Sequence, residues 1–296
     1  MEAEFIRWLK DTLQQQTPTQ PGIGDDCSTM DFPPEFTPVI TTDALIDQVH
    51  FDAHSQSLQA IGRKALAVNL SDIAAMGAVP SYAVVSLICP NKFDLSDLQN
   101  LYTGIITLAN ESSTSIIGGD FNSYDGPLIV SITAIGIVPR ADIKYRFATQ
   151  VHDRIFVTGP LGRSIAGHHL NFTPRLTEGG ILAAYPEVHA VTDITDGLVI
   201  DLNELLTGDL GAILHASSIP CRHPSDNNQS DISHALYDGE DFELLFTVCR
   251  DAEIGFLTDA LPGDIYEIGV VNQSNQIQLQ LQDGRTNTLR IRGYEH

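Results

Sequence analysis

Between residues 58 and 76, Ile61, Ala65, Leu66, Leu70, Ile73 and Ala74 recur at intervals of three and four, the spacing of one face of an α-helix. Gly77 stands where such a helix should stop. A helix this long needs a second layer to bury its face, and the segments around it have the β-branched, alternating character of strands. Strands are predicted over residues 39–43, over a stretch ending at His50-Phe51, and over 82–88, 115–117 and 128–138, with a further helix over 95–110. Phe5, Trp8, Leu9 and Leu13 predict a short amphipathic helix at the start, ended by residues 17–21. Strands alternating with helices make the fold class α/β or α+β, with a sheet covered by helices.

The chain turns polar over residues 139–150, where Arg140, Lys144 and Arg146 cluster. The domain boundary is placed there, giving an N-terminal domain of residues 1–139 and a C-terminal domain of residues 140–296. The second half is expected to hold strands over 154–158, 188–194, 244–248, 265–271 and 277–281. Helices are expected over 174–185 and from Leu198 through Leu206. Thr195 or Asp196 is expected to cap the latter helix. Residues 220–230, rich in Pro, Asn, Asp and Ser, read as a loop, and Gly239-Glu240-Asp241-Phe242-Glu243 as the opening of a strand.

Among 296 residues, 38 acidic side chains stand against 16 basic ones, a formal net charge of −22. That balance argues against nucleic-acid or anionic-membrane partners and suits a protein that gathers cations. Cys27, Cys89, Cys221 and Cys249 show no C-x-x-C spacing, so reduced thiols are expected. The acidic start and the lack of any apolar run near the roughly 20 residues of a membrane span predict a cytoplasmic protein.

Acidic residues recur in short, distinctive settings. Gly22-Ile23-Gly24-Asp25-Asp26 is a turn ending in two carboxylates, of which an extended backbone sends only one to a given face. Thr41-Thr42-Asp43, Asn69-Leu70-Ser71-Asp72, Gly118-Gly119-Asp120, Asp193-Ile194-Thr195-Asp196-Gly197-Leu198 and Gly239-Glu240-Asp241-Phe242-Glu243 follow. Asp43 and Asp120 are read at the ends of their strands, where such folds place ligand-binding groups. Two carboxylates about 4 Å apart repel by roughly 4 kcal/mol at an effective dielectric of about 20, so acids gathered inward call for a cation.

These six contexts in order, with the longer run from Lys64 to Ala78, resemble thiamine-monophosphate kinase, of the superfamily that includes aminoimidazole ribonucleotide synthetase. The resemblance runs from about residue 22 to Gly293-Tyr294-Glu295-His296. It implies an N-terminal mixed sheet covered by helices and a C-terminal α/β sandwich domain. The first would bind ATP and magnesium and form a homodimer, and the second would complete the ATP and substrate site. It further implies transfer of the γ-phosphoryl group of ATP to thiamine monophosphate, giving thiamine diphosphate and ADP.

By the same resemblance Asp26, Asp43, Asp72, Asp120, Asp193 and Asp196 would hold several Mg2+ ions. Thr41, Thr42, Gly119, Asp120, Arg146 and Thr195 match positions that touch ATP, and His50, Glu240 and Tyr294 match the substrate side. Phosphoryl transfer asks for charge neutralisation and in-line placement, and no residue is assigned as a covalent nucleophile or general base. No G-x-x-x-x-G-K-[ST] loop is present, which leaves that task to cations.

The chain departs from the family's usual Gly-Gly-Asp-Thr-Thr-Arg-Gly, continuing instead as Phe121-Asn122-Ser123-Tyr124-Asp125-Gly126, and residues 162–175 are shorter than usual. Two alternatives therefore stand beside the kinase. One is a relative acting on another small phosphorylated or carboxylate substrate; the other is a non-catalytic nucleotide or magnesium sensor.

Overall fold

The computed structural model describes residues 2–14, 27–222 and 228–294. The chain divides into two compact units, one from Met1–Ile73 and Val79–Pro139, the other from Ala74–Ala78 and Arg140–Glu295.

The first unit is built on α1 (Glu2–Gln14), β1 (Phe36–Ile46), α2 (Leu58–Ala75), β2 (Val79–Pro90), α3 (Leu95–Glu111), β3 (Ser115–Tyr124) and β4 (Ile129–Pro139). Its four strands form a mixed sheet in the order β1-β4-β2-β3, antiparallel except where β2 runs beside β3. Phe5, Leu9 and Leu13 are buried as their spacing predicts, and the Phe5 ring packs 5.1 Å from Tyr102 on α3 and 5.4 Å from Phe121 on β3. α2 is covered on nearly every side rather than along one face, and ends as expected at Gly77, whose φ of +68° suits a residue without Cβ. Lys64 on this helix is wholly buried, and its ammonium donates to the His50 carbonyl at 2.6 Å.

The predicted strand ending at His50-Phe51 does not form. β1 runs on to Ile46, and the chain then reverses with Gln48 at φ +68°, leaving one bridge between Asp47 and Phe51. The His50 side chain competes for the backbone here: the Ile46 N–H donates to His50 Nδ1 at 3.0 Å, while the His50 N–H donates to the Ile46 carbonyl at 3.0 Å. Asp43 and Asp120 also lie within their strands rather than at the ends, because β4 pairs with β1 as far as Ile46 and β2 pairs with β3 as far as Tyr124.

The β2–β3 register slips between Ala83 and Val84, so that Ile116 and Gly118 pair with successive residues and Ile117 bulges out. A Cβ on Gly119 would lie 2.1 Å from the Val85 carbonyl oxygen, whereas on Gly118 it would meet only Val84 Cγ1 at 3.5 Å. Gly119→Ala is thus expected to lower stability by roughly 1–3 kcal/mol, and Gly118→Ala by less than about 1. Urea unfolding followed by the single tryptophan, Trp8 on α1, checks the pair.

The second unit contains β5 (Arg154–Val157), α4 (His168–Asn171), α5 (Leu176–Ala184), β6 (Val188–Asp193), α6 (Leu198–Leu205), β7 (Gly211–His215) and α7 (Asn228–Tyr237). It continues with β8 (Leu244–Val248), α8 (Gly255–Ala260), β9 (Tyr266–Asn272), β10 (Ile277–Gln280) and β11 (Thr286–Thr288). The sheet order is β11-β10-β7-β9-β5-β8-β6, with only β10 and β7 parallel.

Side chains alternate across this sheet into two cores. Ile155, Val157 and Leu245 join Leu198, Leu202 and Leu205 of α6 and Ala235 and Leu236 of α7. Phe156, Leu244, Phe246 and Val248 face the other way, with Leu182 of α5 and Leu257 of α8. β8 is covered on both faces, so every residue of it is buried, including Thr247, whose hydroxyl lies 3.3 Å from that of Thr149. The predicted loop over 220–230 overlaps the first turn of α7, and Gly239–Glu243 is irregular chain that precedes β8 rather than belonging to it.

Among the described residues, no helix is long and apolar enough to cross a membrane. All four cysteines are free.

Candidate active site

In the first unit, the pleat of β1 turns Thr41, Asp43 and Leu45 inward, and Ile40, Thr42 and Ala44 outward. Thr41 Oγ1 donates to Asp72 Oδ2 on α2. Burial, and then the charge of Asp72, push the Asp43 carboxyl up to about 6. Thr41, Asp43 and Asp72 are therefore neighbours, while Thr42 lies on the opposite face, where it accepts from Thr133 Oγ1 at 3.0 Å and donates to the Ile132 carbonyl at 3.2 Å. Asp120 is exposed on β3 and accepts from Asn122 Nδ2 at 2.6 Å. Asn122 is one of the residues replacing the usual Thr-Thr-Arg. Asp25 and Asp26 lie outside the described residues.

The raised Asp43 carboxyl has a consequence for the metal-free protein. Its proton is held more tightly in the fold than in the unfolded chain, so between about pH 4 and 6 the folded state carries more protons and stability falls as pH rises. Asp43→Asn removes the titration. At pH 7.5 with a chelator, the variant is expected to be roughly 1–3 kcal/mol more stable than the parent, and near parity at pH 4, as urea unfolding at the two pH values will show.

In the second unit, β6 delivers Asp193, fully buried, at its last residue, and the next turn carries Thr195 and Asp196 into α6. Neither Thr195 nor Asp196 caps α6. The N-cap is Gly197 without a side-chain bond, and Asp201 in the first turn reaches back, its Oδ2 accepting from the N–H groups of Thr195 (2.9 Å), Asp196 (3.1 Å) and Gly197 (3.1 Å). Asp201 is 3% exposed, and burial together with the charges of Asp193 and Asp196 pushes it up to about 8. It shapes the whole Asp-Ile-Thr-Asp-Gly turn and was not among the expected site residues. An acid in the first helical turn directly after that motif is the signal that marks it.

The same turn gathers the expected substrate residues of this unit. The Glu240 N–H donates to the Thr195 carbonyl at 2.6 Å, and the Tyr294 N–H donates to the Asp196 carbonyl at 2.8 Å. Burial and the nearby charge of Glu240 raise the Tyr294 phenol. Arg146 lies on a short 3-10 turn, where it pairs with Glu204 of α6, both about half exposed. An exposed pair of this kind is worth at most about 1 kcal/mol and opens readily to a competing anion. His50 is held in the first unit by the turn described above.

Gly239–Glu243 sends three acids inward, each to a different base. Glu240 Oε2 lies 3.1 Å from His169 Nδ1, Asp241 Oδ1 lies 3.5 Å from an Arg222 nitrogen, and Glu243 takes Arg175 through both oxygens at 2.7 and 2.8 Å. Among the described residues, no three His, Cys, Asp or Glu side chains gather closely enough to hold a metal ion unaided. What is present are adjacent acids: Asp43 beside Asp72 in the first unit, and Asp193 and Asp196 close to Asp201 in the second.

Residues 24–138 match the family model described as AIR synthase related protein, N-terminal domain, and residues 158–282 its C-terminal domain. The chain is 38% identical to thiamine-monophosphate kinase of Rhodopirellula baltica, over 85% of this chain and 83% of that one. The fold is similar to the crystal structure of thiamine-monophosphate kinase from Stenotrophomonas maltophilia, with a TM-score of 0.81 and 30% identity, covering 94% of this chain and 96% of the other. It is also similar to a structure described as AaThiL complexed with AMPPCP and TMP, with a TM-score of 0.75 and 25% identity, covering 97% and 96%.

Proposed function

Because the chain belongs to the thiamine-monophosphate kinase family, within the AIR synthase related proteins, we propose that it transfers the γ-phosphoryl group of ATP to thiamine monophosphate, yielding thiamine diphosphate and ADP. The observation that carries this reading is identity of 38% to such a kinase over 85% of the chain. A relative of the same fold takes AMPPCP, an ATP analogue, together with TMP, which supports ATP and thiamine monophosphate as co-substrates.

The donor set suits Mg2+. This hard cation takes oxygen ligands and is bound through one or two carboxylates completed by substrate phosphates, which is what pairs rather than trios of acids provide. We assign several such ions: in the first unit to Asp43, Asp72, Asp120 and, outside the described residues, Asp26, and in the second to Asp193 and Asp196. Bound there, Mg2+ supplies positive charge against the phosphates.

The chain's own residues orient these groups. Thr41 holds the Asp72 carboxylate by its hydroxyl, and Asp201 holds the backbone of the Asp193–Asp196 turn. Thr41, Thr42, Gly119, Arg146 and Thr195 are assigned to the nucleotide, with Arg146 exchanging Glu204 for phosphate. His50, Glu240 and Tyr294 are assigned to the acceptor. A carboxylate suits its cationic thiazolium, and an aromatic ring stacks on it. We further assign a homodimer, contacts through residues 1–139, and a cytoplasmic location.

The test is to incubate the purified chain with ATP, MgCl2 and thiamine monophosphate and to separate the products chromatographically. Thiamine diphosphate that forms with magnesium and vanishes with EDTA supports the reading. Its absence, with calorimetry still registering ATP binding, moves the protein to the non-catalytic sensor. Light scattering at micromolar concentration tests the dimer.

A further inference from the structure

β6 and β8 lie side by side in opposite directions, so one end of the pair carries Asp193 and Leu244 and the other carries Val188 and Val248. The first end belongs to the candidate active site. At the second, roughly 16 Å away along the strands, the chain forms a cavity of about 400 Å³ to which no part of the proposed reaction is assigned.

Two connections build it. The segment from α5 to β6 supplies Tyr185 and Glu187, and the segment from β8 into α8 supplies residues 249–254, with Phe256 and Leu257 following on the helix. The Cys249 N–H donates to the Glu187 carbonyl at 2.8 Å and the Ala252 N–H to the Cys249 carbonyl at 3.1 Å, which ties the two segments together. Lys144 holds the first of them, its ammonium donating to the Tyr185 and Val188 carbonyls at 2.8 and 2.9 Å.

The walls divide by chemistry. Val188, Val248 and Leu257 are an apolar floor continuous with the core beneath α5 and α8, and Tyr185 and Phe256 add aromatic rings, the latter 66% exposed. Glu187, Asp251 and Glu253 are exposed lining residues, and no lining residue is basic. The bases that come near are engaged elsewhere: Lys144, which feels the charge of Glu187, on the two carbonyls, and Arg154 in an ion pair with Glu267. Asp251 and Glu253 enter no ion pair among the described residues.

A cavity of this size lies in the range of small-molecule sites. An apolar floor favours an aliphatic or aromatic body, aromatic faces attract a cation, and acids of one sign repel anions. ATP and thiamine monophosphate, which both carry phosphate, are unsuited to it. We propose that this cavity is a second binding site, separate from that of phosphoryl transfer, for a small phosphate-free organic cation with an apolar or aromatic body. The inference does not depend on the kinase reading.

The experiment uses the full chain and three aromatic probes: benzyltrimethylammonium, benzyl alcohol and benzoate. Cys249 lines the cavity, so its alkylation by N-ethylmaleimide, quantified peptide by peptide by mass spectrometry, reports occupancy, with Cys27 and Cys221 as internal controls. Ligand-observed NMR gives the binding midpoint without reliance on the thiol. Benzyltrimethylammonium is expected to slow Cys249 alkylation saturably, by about fivefold or more, and to leave Cys27 and Cys221 within about twofold. Benzyl alcohol should have a midpoint about fivefold higher, and benzoate should give no protection. Asp251→Asn with Glu253→Gln should raise the benzyltrimethylammonium midpoint by about fivefold. Asp209→Asn with Asp283→Asn, which removes the same charge from exposed positions elsewhere in this unit, should leave it within about twofold.

Equal binding of benzyl alcohol overturns the proposal, because the acids then select nothing. Equal slowing at all three thiols, or equal shifts in the two double variants, overturns it too, because the cation then binds the acidic surface at large. A Cys249 that does not react in the unliganded chain leaves the NMR titration to decide, and binding that fails to saturate there is equally fatal. These outcomes stand whether or not the chain makes thiamine diphosphate.

Discussion

Asp72→Asn is expected to cut kcat for phosphoryl transfer by about 10²–10³-fold, equivalent to roughly 3–4 kcal/mol of transition-state stabilisation. The change keeps the shape of the side chain and an oxygen that can accept from Thr41, so what is removed is charge. That charge is costly to the resting protein: it sits close enough to Asp43 to help lift its carboxyl to about 6. Like charges held side by side against their repulsion are a stability loss that an added cation converts into binding. Asp72→Asn should therefore melt no lower than the parent in the absence of metal, separating lost function from lost fold. Thr41→Val, which keeps the carboxylate and removes its tether, should cost only about tenfold. Colorimetric ADP release with thiamine monophosphate as acceptor measures both. An Asp72→Asn enzyme retaining half the parent rate would sink the assignment of Asp72 to the cation.

The residues that sequence reading located best were those whose signal is local. The periodicity of α2 and its Gly77 stop depend on neighbours within a turn, and so do the strand and helix around Asp193–Leu198. The extension of β1 past Asp43 to Ile46 and of β3 past Asp120 to Tyr124 is set by pairing partners many residues away and by a bulge at Ile117, which no local pattern encodes. The first turn of α7 is hidden in the sequence because Asn228, Gln229 and Ser230 read as loop. The acidic motif of residues 239–243 stood out in the sequence, but its partners did not: Arg175 is 68 residues from Glu243, and His169 lies in a stretch noted only for being short. In a chain with 38 acids and 16 bases, each base drawn into the interior is informative. Only the tertiary pairing reveals which ones those are.

Arg175→Ala is expected to destabilise the second unit by roughly 3–5 kcal/mol, the largest folding effect foreseen for any single substitution in the protein. Arg175 Nε and a terminal nitrogen donate to the two Glu243 oxygens at 2.7 and 2.8 Å, and its other terminal nitrogen reaches Glu178 at 3.1 Å. Truncation leaves the Glu243 carboxylate, with a side chain 2% exposed, with Thr158 as its remaining hydrogen-bond partner among the described residues. The backbone at Gly159 packs closely on the same carboxylate: a Cβ there would lie 2.6 Å from it. Arg175→Lys keeps the charge but not the planar geometry, so it should fall between parent and Ala. Replacing both partners, as Arg175→Met with Glu243→Leu, should recover most of the loss, since a buried pair contributes less than it costs to break. Urea unfolding followed by far-ultraviolet circular dichroism gives the coupling energy from the double-mutant cycle. Arg175→Ala within about 1 kcal/mol of the parent would show that Glu243 finds another partner. A large single effect with recovery in the pair would show instead that Arg175 anchors β8, and through it the three-residue approach on which Glu240 is held.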